Sequence, residues 1–206
     1  LLTIDNTDFA IGGNDSIRTG TGRDITIGGY GKDNINVGEG NNAAIGDHAK
    51  FVFNGLGQWT LIDTIAPQVG DDDEINAGSG NDIVLGGFED DTITIVGGNN
   101  FVIGDNGRFE VDAAGQVRKT ETLDPADGGL DIINTGNGND FIFGGQAVDV
   151  INAANGDNVV VGDNGVATIN ATGQLLTIDS NAFSSGGDDV IRTGTGRDIA
   201  IGGFGK

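Results

Sequence analysis

The chain has 206 residues, of which 39 are Gly, and its 31 acidic and 10 basic side chains give it a net charge of −21. That charge repels nucleic acid and anionic lipid, and no apolar run has the length that membrane insertion requires, so we expect neither partner. The glycines lack the Gly-X-Y period of collagen, and the 36% of hydrophobic residues recur too regularly for a disordered chain. We therefore expect an ordered, strand-rich protein in which glycine forms turns.

A long repeat divides the chain. A glycine-aspartate motif that begins at Gly12 returns at Gly70, Gly128 and Gly186, each time 58 residues further on. The spacing predicts one continuous array with units at residues 1–11 (partial), 12–69, 70–127, 128–185 and 186–206 (partial). Because the units at both ends are partial, we expect the array to continue in a longer protein.

Each unit begins with four nine-residue blocks. In the first unit Asp15, Asp24, Asp33 and Asn42 are nine residues apart, and the residue two positions after each is Ile, Thr, Ile and Ala in turn. Each block predicts a glycine-rich turn followed by a very short strand that points one residue inward. Two blocks are predicted to form one turn of a flattened coil, and stacked turns would bury a narrow aliphatic ladder.

The rest of each unit predicts a β-hairpin. In the first unit it occupies about residues 48–69, with strands over 50–54 and 58–63 around a Gly-Leu-Gly turn. Its counterparts pair 108–112 with 116–123 and 167–170 with 174–179. Because the number of blocks between hairpins is even, all hairpins should project from the same side of the coil. The predicted fold is all-β, a parallel, β-roll-like β-solenoid with β-hairpin insertions.

One face of the predicted coil is unusually apolar. The second and fourth blocks place apolar residues on both sides of the inward one, such as Ile25 and Ile27, whereas the first and third blocks place polar residues there, such as Ser16 and Arg18. A monomer rarely exposes so continuous an apolar patch. Either the hairpins fold over this face or another chain covers it, and the apolar residues of the hairpins themselves favour the first alternative.

The blocks resemble a known calcium-binding repeat. Residues 28–35, with the sequence GGYGKDNI, fit the pattern Gly-Gly-x-Gly-x-Asp-x-apolar of the RTX, or hemolysin-type calcium-binding, nonapeptide repeats. The resemblance implies a parallel β-roll with Ca²⁺ between successive turns, and secretion from a bacterium to its surface or surroundings, usually by a type I system. Three features depart from it: the hairpin in each unit, Asn in place of Asp in every fourth block, and Glu89 and Ala147 at the position of Gly31, where we expect an altered turn.

The resemblance also implies that block aspartates and turn carbonyls hold the calcium ions. Ca²⁺ binds six to eight oxygens, and a column of carboxylates one strand spacing apart repels itself unless a divalent ion lies between them. The alternative is a metal-free coil with hydrogen-bonded Asn and Asp ladders. Alternate blocks fall on opposite edges, which gives two sets of candidate ligands. One edge carries Asp15, Asp33, Asp73, Asp91, Asp131, Asp149 and Asp189, and the other carries Asp24, Asp82, Asp140 and Asp198 in alternation with Asn42, Asn100 and Asn158.

Two further sets of polar residues lead to narrower expectations. Asn in every fourth block removes a charge, so we expect Asn42, Asn100 and Asn158 to form ladders rather than to bind a cation. Aspartates also recur where each hairpin begins, and they could either complete a cation site or form Asx-turns. These residues are Asp47, Asp105 and Asp163.

Composition argues against catalysis. The chain has no Cys, and its one His, His48, is replaced by Asn106 and Asn164 in later units, so we expect a surface turn residue there and no enzyme. The predicted function is a calcium-binding structural segment of a large secreted surface or matrix protein, comparable to an adhesin stalk. One alternative is a self-assembling extracellular filament or sheath subunit that joins copies through the apolar face or the solenoid ends. Another is an accessory domain of a secreted hydrolase or toxin.

Overall fold

The computed structural model describes residues 3–6, 9, 11–181 and 184–205. Within them the regular structure is entirely β, with 21 strands in three seven-stranded sheets. No helix among these residues has the length and hydropathy needed to cross a membrane. The strands are, in chain order, β1 (Thr3–Asp5), β2 (Ser16–Arg18), β3 (Ile25–Ile27), β4 (Asn34–Val37), β5 (Ala43–Ile45), β6 (Ala49–Phe53), β7 (Trp59–Thr64), β8 (Glu74–Ser79), β9 (Ile83–Leu85), β10 (Thr92–Gly97), β11 (Phe101–Ile103), β12 (Gly107–Val111), β13 (Val117–Thr122), β14 (Ile132–Asn137), β15 (Phe141–Gly145), β16 (Val150–Ala153), β17 (Val159–Asp163), β18 (Gly165–Ile169), β19 (Leu175–Ser180), β20 (Val190–Arg192) and β21 (Ile199–Ile201).

Two of the sheets are parallel and are built from the nine-residue blocks. The first parallel sheet has the order β2-β4-β8-β10-β14-β16-β20, and the second has the order β3-β5-β9-β11-β15-β17-β21. The chain passes alternately from one sheet to the other. Equivalent residues in neighbouring strands of the first sheet are alternately 18 and 40 residues apart, as in Ile17 opposite Ile35 and Ile35 opposite Ile75. The longer step contains the hairpin.

A narrow aliphatic core fills the space between the two parallel sheets. Ile75, Ile93 and Ile133 of the first sheet and Val84 and Val102 of the second are fully buried in it. They are the residues two positions after each block Asp or Asn, which is the position that the nine-residue period predicts to point inward. The ladder is continuous because the parallel pairs are in register, with Ile93 opposite Ile133.

The third sheet is antiparallel and consists mainly of the hairpins. Its order is β1-β6-β7-β12-β13-β18-β19, in which β6–β7, β12–β13 and β18–β19 are the predicted hairpins. Successive hairpins also pair with each other, through β7–β12 and β13–β18. One buried threonine joins each pair of neighbouring hairpins. The Gly107 N–H donates to Thr64 Oγ1 at 3.0 Å, and the Gly165 N–H donates to Thr122 Oγ1 at 3.0 Å.

The antiparallel sheet covers the apolar outer face of the second parallel sheet. Leu85, Ile103 and Phe143 of that face lie in one buried cluster with Phe51 and Phe109 of the hairpins. The hairpins therefore fold over this face, as the first of the two alternatives has it. Each large side chain buried here contributes roughly 1.5–3 kcal/mol, so the hairpins are a main source of stability.

The two glycine replacements keep the turn rather than alter it. Glu89 and Ala147 have φ of 72°, in the left-handed region, where Gly31 has φ of 112°. The backbone path of the repeat is thus maintained in a conformation that residues with a Cβ rarely adopt.

Candidate metal-binding edges

The turns that lead from the second parallel sheet back to the first form what we call the aspartate edge. In it the N–H of each block Asp donates to Oδ1 of the block Asp in the next turn; for example, the Asp73 N–H donates to Asp91 Oδ1 at 2.7 Å and the Asp91 N–H donates to Asp131 Oδ1 at 2.9 Å. This column contains all seven residues predicted for the edge. They are Asp15, Asp33, Asp73, Asp91, Asp131, Asp149 and Asp189.

The second carboxylate oxygen of these residues accepts no hydrogen bond within the described part of the chain. From Asp33 to Asp189, Oδ2 of every Asp in the column is buried and has no hydrogen-bond partner among the described residues. Each such oxygen lies beside a glycine at or just after the end of a strand of the second parallel sheet, together with the carbonyl oxygen of a glycine in the next turn. A Cβ added at Gly86 would be 2.3 Å from Asp91 Oδ2 and 1.9 Å from the Gly104 carbonyl oxygen. The same convergence recurs at Gly28, Gly46, Gly104, Gly144 and Gly162.

The aspartate edge is electrostatically costly without a cation. Burial raises the pKa of Asp91 and of Asp131 well above the usual range. Burial also raises the pKa of Asp73 to about 8 and that of Asp149 to about 9. The ion pairs among the described residues involve none of the block aspartates, as in Lys32–Asp72 or Arg108–Asp63. Buried carboxylates without a counter-ion must either take up protons or bind a metal.

The oxygens at this edge suit Ca²⁺, which takes carboxylate and carbonyl ligands in flexible arrangements. Among the described residues no three His, Cys, Asp or Glu side chains converge as a cage of side chains would. A site at this edge therefore depends on the glycine carbonyls as well as on the Oδ2 atoms. The glycine at this position of each turn has no Cβ, which leaves the space between these oxygens open.

The opposite edge, which we call the mixed edge, alternates Asp with Asn. It has the same backbone-to-Oδ1 bonds: the Asp82 N–H donates to Asn100 Oδ1 at 3.0 Å, and the Asn100 N–H donates to Asp140 Oδ1 at 2.9 Å. Asp24 and Asp198 belong to the same column, through Asn42 and Asn158. The Oδ2 atoms of Asp24, Asp82 and Asp140 again have no partner among the described residues. Burial raises the pKa of Asp82 to about 6.

The asparagines of the mixed edge satisfy their own turns. Asn42 Nδ2 donates to the carbonyl oxygens of Gly38 and Gly40 at 3.0 Å each, and Asn158 Nδ2 donates in the same way to the Ala154 and Gly156 carbonyls. An amide group thus sits where a cation would otherwise draw these oxygens together. The interpretation of these residues as hydrogen-bonded ladders agrees with the observed contacts.

The aspartates at the start of each hairpin make long-range contacts rather than Asx-turns. Asp105 accepts hydrogen bonds from the N–H groups of Gly129 and Gln146, and Asp163 accepts them from those of Gly187 and Phe204. An Asx-turn would use a partner two residues away, whereas these lie 24 and 41 residues along the chain. Each carboxylate therefore joins the start of a hairpin to two later segments. One is the chain just after the hairpin, and the other is the next turn of the aspartate edge. Asp47 is placed similarly, with Oδ2 accepting the Phe88 N–H at 2.5 Å, and burial raises its pKa to about 9.

His48 is not a surface residue, contrary to the sequence-based expectation. It is 2% exposed, its Nδ1 is 2.6 Å from Asn6 Nδ2, and its Nε2 is 3.2 Å from the Phe9 carbonyl oxygen. Its neighbours come from a segment about 40 residues earlier, so the nearby sequence carried no signal of burial. In this position His48 connects the first strand segment to the start of the first hairpin.

Comparison with known families gives one match. The model of the RTX calcium-binding nonapeptide repeat (4 copies) matches residues 9–43, 70–94, 126–160, 134–169 and 183–206, which together make up more than half of the chain. The matched segments contain nearly all the nine-residue blocks, and the hairpins lie mostly between them. RTX repeats bind Ca²⁺, and proteins that carry them are typically secreted by bacteria. No curated protein and no solved structure matches the chain.

Proposed function

The chain belongs to the family of RTX calcium-binding nonapeptide-repeat proteins, and we propose that it is a calcium-stiffened β-solenoid segment of a large secreted surface or matrix protein, comparable to an adhesin stalk. The observation that carries this proposal is the column of buried Oδ2 atoms without partners, each beside a glycine carbonyl, along the aspartate edge. The alternating path of the chain between two in-register parallel sheets supports the solenoid, with units as the 58-residue spacing predicts.

We assign the calcium ligands by the same criterion. Oδ2 of the block aspartates and the adjacent glycine carbonyls would hold the ions, most completely along the aspartate edge. On the mixed edge only the Asp turns have free oxygens, so sites there would occur at every second turn. At the hairpin junctions the backbone contacts would be held by Asp47, Asp105 and Asp163. A cation nearby would lower the repulsion between these carboxylates and the block aspartates. Calcium bound along both edges would tie successive turns together and make the segment stiff.

Calcium would also couple folding to export. The buried carboxylates disfavour the folded state when calcium is scarce, as in cytosol, and binding outside the cell stabilises it by mass action. A structural role fits the acidic groups of the edges, because they recur from unit to unit as a row of similar ion sites would. Filament assembly through the ends of the array remains the alternative function, and the covered apolar face leaves those ends as its route.

The proposal is tested by melting the protein, followed by far-ultraviolet circular dichroism, in calcium and in excess EGTA. Each site contributes about 2.7 kcal/mol when free Ca²⁺ is 100 times its Kd, which is about 5–10 °C in a chain of this size. Several sites should therefore raise the Tm by tens of degrees. An identical melt in both solutions would contradict a calcium-dependent structure and would favour the assembly alternative.

A single substitution then tests the ligand assignment. Asp91→Asn keeps the Oδ1 acceptor for the Asp73 N–H but removes the charge, so we expect the calcium-induced shift in Tm to shrink while the Tm in EGTA stays equal or rises. Asp179→Asn, an exposed residue of β19, makes the same chemical change away from the edges and should leave both values unchanged. An undiminished calcium shift in Asp91→Asn would show that Asp91 is not a ligand.

A further inference from the structure

A groove of about 400 Å³ runs along the mixed edge, beneath the turns of the second and third hairpins. Its floor contains Trp59, Ile83, Phe101 and Phe141, and one wall is a row of asparagines. It lies on the opposite side of the parallel sheets from the aspartate edge. The calcium-binding role therefore does not account for it.

The asparagine wall presents a row of free amide donors. Asn41, Asn81, Asn99 and Asn139 are exposed residues that immediately precede the block Asp or Asn. The Asn81 N–H donates to Asn41 Oδ1 at 2.9 Å, and the Asn99 N–H donates to Asn81 Oδ1 at 2.8 Å, and so on along the row. Each Oδ1 is thereby used, whereas no Nδ2 in the row has a partner among the described residues. The donors recur at the strand spacing of about 4.8 Å.

The floor is aromatic and contains two further unused donors. The rings of Phe101 and Phe141 are stacked with centroids 4.9 Å apart. The Arg23 guanidinium carbon lies 3.6 Å from the centroid of the Trp59 ring. Arg23 has no ion pair among the described residues although the chain is strongly acidic, and the Trp59 indole N–H is buried without a hydrogen-bond partner. Of these two donors, Arg23 is exposed and is the one that a ligand in the groove can reach.

We propose that this groove binds a neutral oligosaccharide of hexose units. A pyranose ring has apolar C–H groups that can lie against the ring edges that the floor exposes, and hydroxyl oxygens that accept hydrogen bonds from the amides of the wall. The rise between the amide donors is close to the length of one pyranose unit along a chain. The net charge of −21 opposes binding of a polyanion. The groove also has the size of typical small-ligand sites, which combine apolar lining with a few placed polar groups.

The experiment uses the calcium-loaded protein and its single Trp residue as the reporter, since Trp59 lines the groove. The probes are maltohexaose, cellohexaose and mannohexaose, titrated one at a time while the emission of Trp59 is recorded. We expect a saturable change with at least one of them. The absence of any change with all three, checked by isothermal calorimetry, would overturn the proposal. Binding of polygalacturonate alone would overturn its commitment to a neutral chain.

A matched pair of variants places the ligand in the groove. Asn99→Asp keeps the Oδ1 acceptor for the Asn139 N–H and replaces the Nδ2 donor with a charged oxygen, so the Kd for a ligand that accepts from this donor should rise about tenfold. Asn36→Asp on the outer face of the first parallel sheet makes the same change outside the groove and should bind as the unmodified protein does. Equal affinity in both variants would contradict the assignment. Because the titration is done in calcium, its failure leaves the calcium-dependent melt unaffected.

Discussion

At the scale of the residue, Glu89 and Ala147 hold a conformation that glycine holds elsewhere in the array. Both have φ of 72°, and neighbouring turns fix them there: a Cβ added at Gly129 would lie 2.3 Å from the Glu89 carbonyl carbon, and one at Gly187 would lie 2.1 Å from the Ala147 carbonyl oxygen. A left-handed conformation costs an L-residue roughly 1–2 kcal/mol. The surrounding parallel sheets therefore impose the turn on residues that do not favour it.

Replacing Glu89 with glycine should stabilise the protein. Glu89→Gly removes the left-handed strain but adds flexibility to the unfolded chain, so the net gain in the free energy of unfolding should be about 0.5–1 kcal/mol. It is measured by urea denaturation at a fixed calcium concentration. Glu89→Ala is the control, because it removes the carboxylate and keeps the Cβ, and it should bring no such gain. Equal stabilisation by both variants would attribute the effect to charge instead of backbone strain.

The sequence predicted which aspartates share an edge, but not how their oxygens are used. The nine-residue period places Asp73 and Asp91 in one column, and the 58-residue repeat adds Asp131 to it, whatever the side chains do. The division between Oδ1, which accepts a backbone N–H, and Oδ2, which is left free, depends on the register of neighbouring turns. The role of the Asn42 amide also escaped the sequence, because its partners are carbonyl oxygens, which every residue possesses.

At the scale of the element, the hairpins were predictable one at a time but their association was not. Each hairpin has its turn and both strands within about 20 residues, so local signals suffice. The pairing of β7 with β12 joins strands that lie in different units, and nothing in either strand marks its outer edge as the one to be paired. The sequence did show apolar residues on the outer face of the second parallel sheet and on the hairpins. An apolar face of that size had to be covered.

Phe109 tests how much that cover contributes. It is fully buried between β12 and the second parallel sheet, with its ring 6.2 Å from that of Phe101. Phe109→Ala should lower the free energy of unfolding by about 3–5 kcal/mol, as a cavity in a packed core does. Leu56 is 84% exposed at a hairpin turn, so Leu56→Ala should leave the free energy of unfolding almost unchanged. If the two variants unfold at the same denaturant concentration, the hairpins do not pack on the face as described.

At the scale of the whole molecule, protons and calcium compete for the same oxygens. Burial raises the pKa of Asp73 to about 8 and that of Asp149 to about 9, from an unfolded value of about 3.9. At a pH between the unfolded pKa and the folded pKa of each group, the folded chain holds a proton that the unfolded chain has released. Without calcium, stability is therefore fully present below about pH 4 and is lost as the pH rises towards 9. Calcium replaces those protons at neutral pH, so its contribution should grow as theirs declines.

The whole-molecule prediction is an inverted pH dependence for protein that has been freed of calcium and melted in calcium-free buffer, with a higher Tm at about pH 5 than at about pH 8. The rise in Tm caused by calcium should accordingly be larger at the higher pH. Lower repulsion between surface charges at acidic pH acts in the same direction, so the melts are done in about 0.5 M NaCl, which screens exposed charges and affects buried ones much less. A Tm in calcium-free buffer that is unchanged or higher at pH 8 would mean that the aspartate edge is not protonated in the calcium-free fold. The carboxylates would then have to be accessible to water, and a cation would no longer be needed to hold successive turns together.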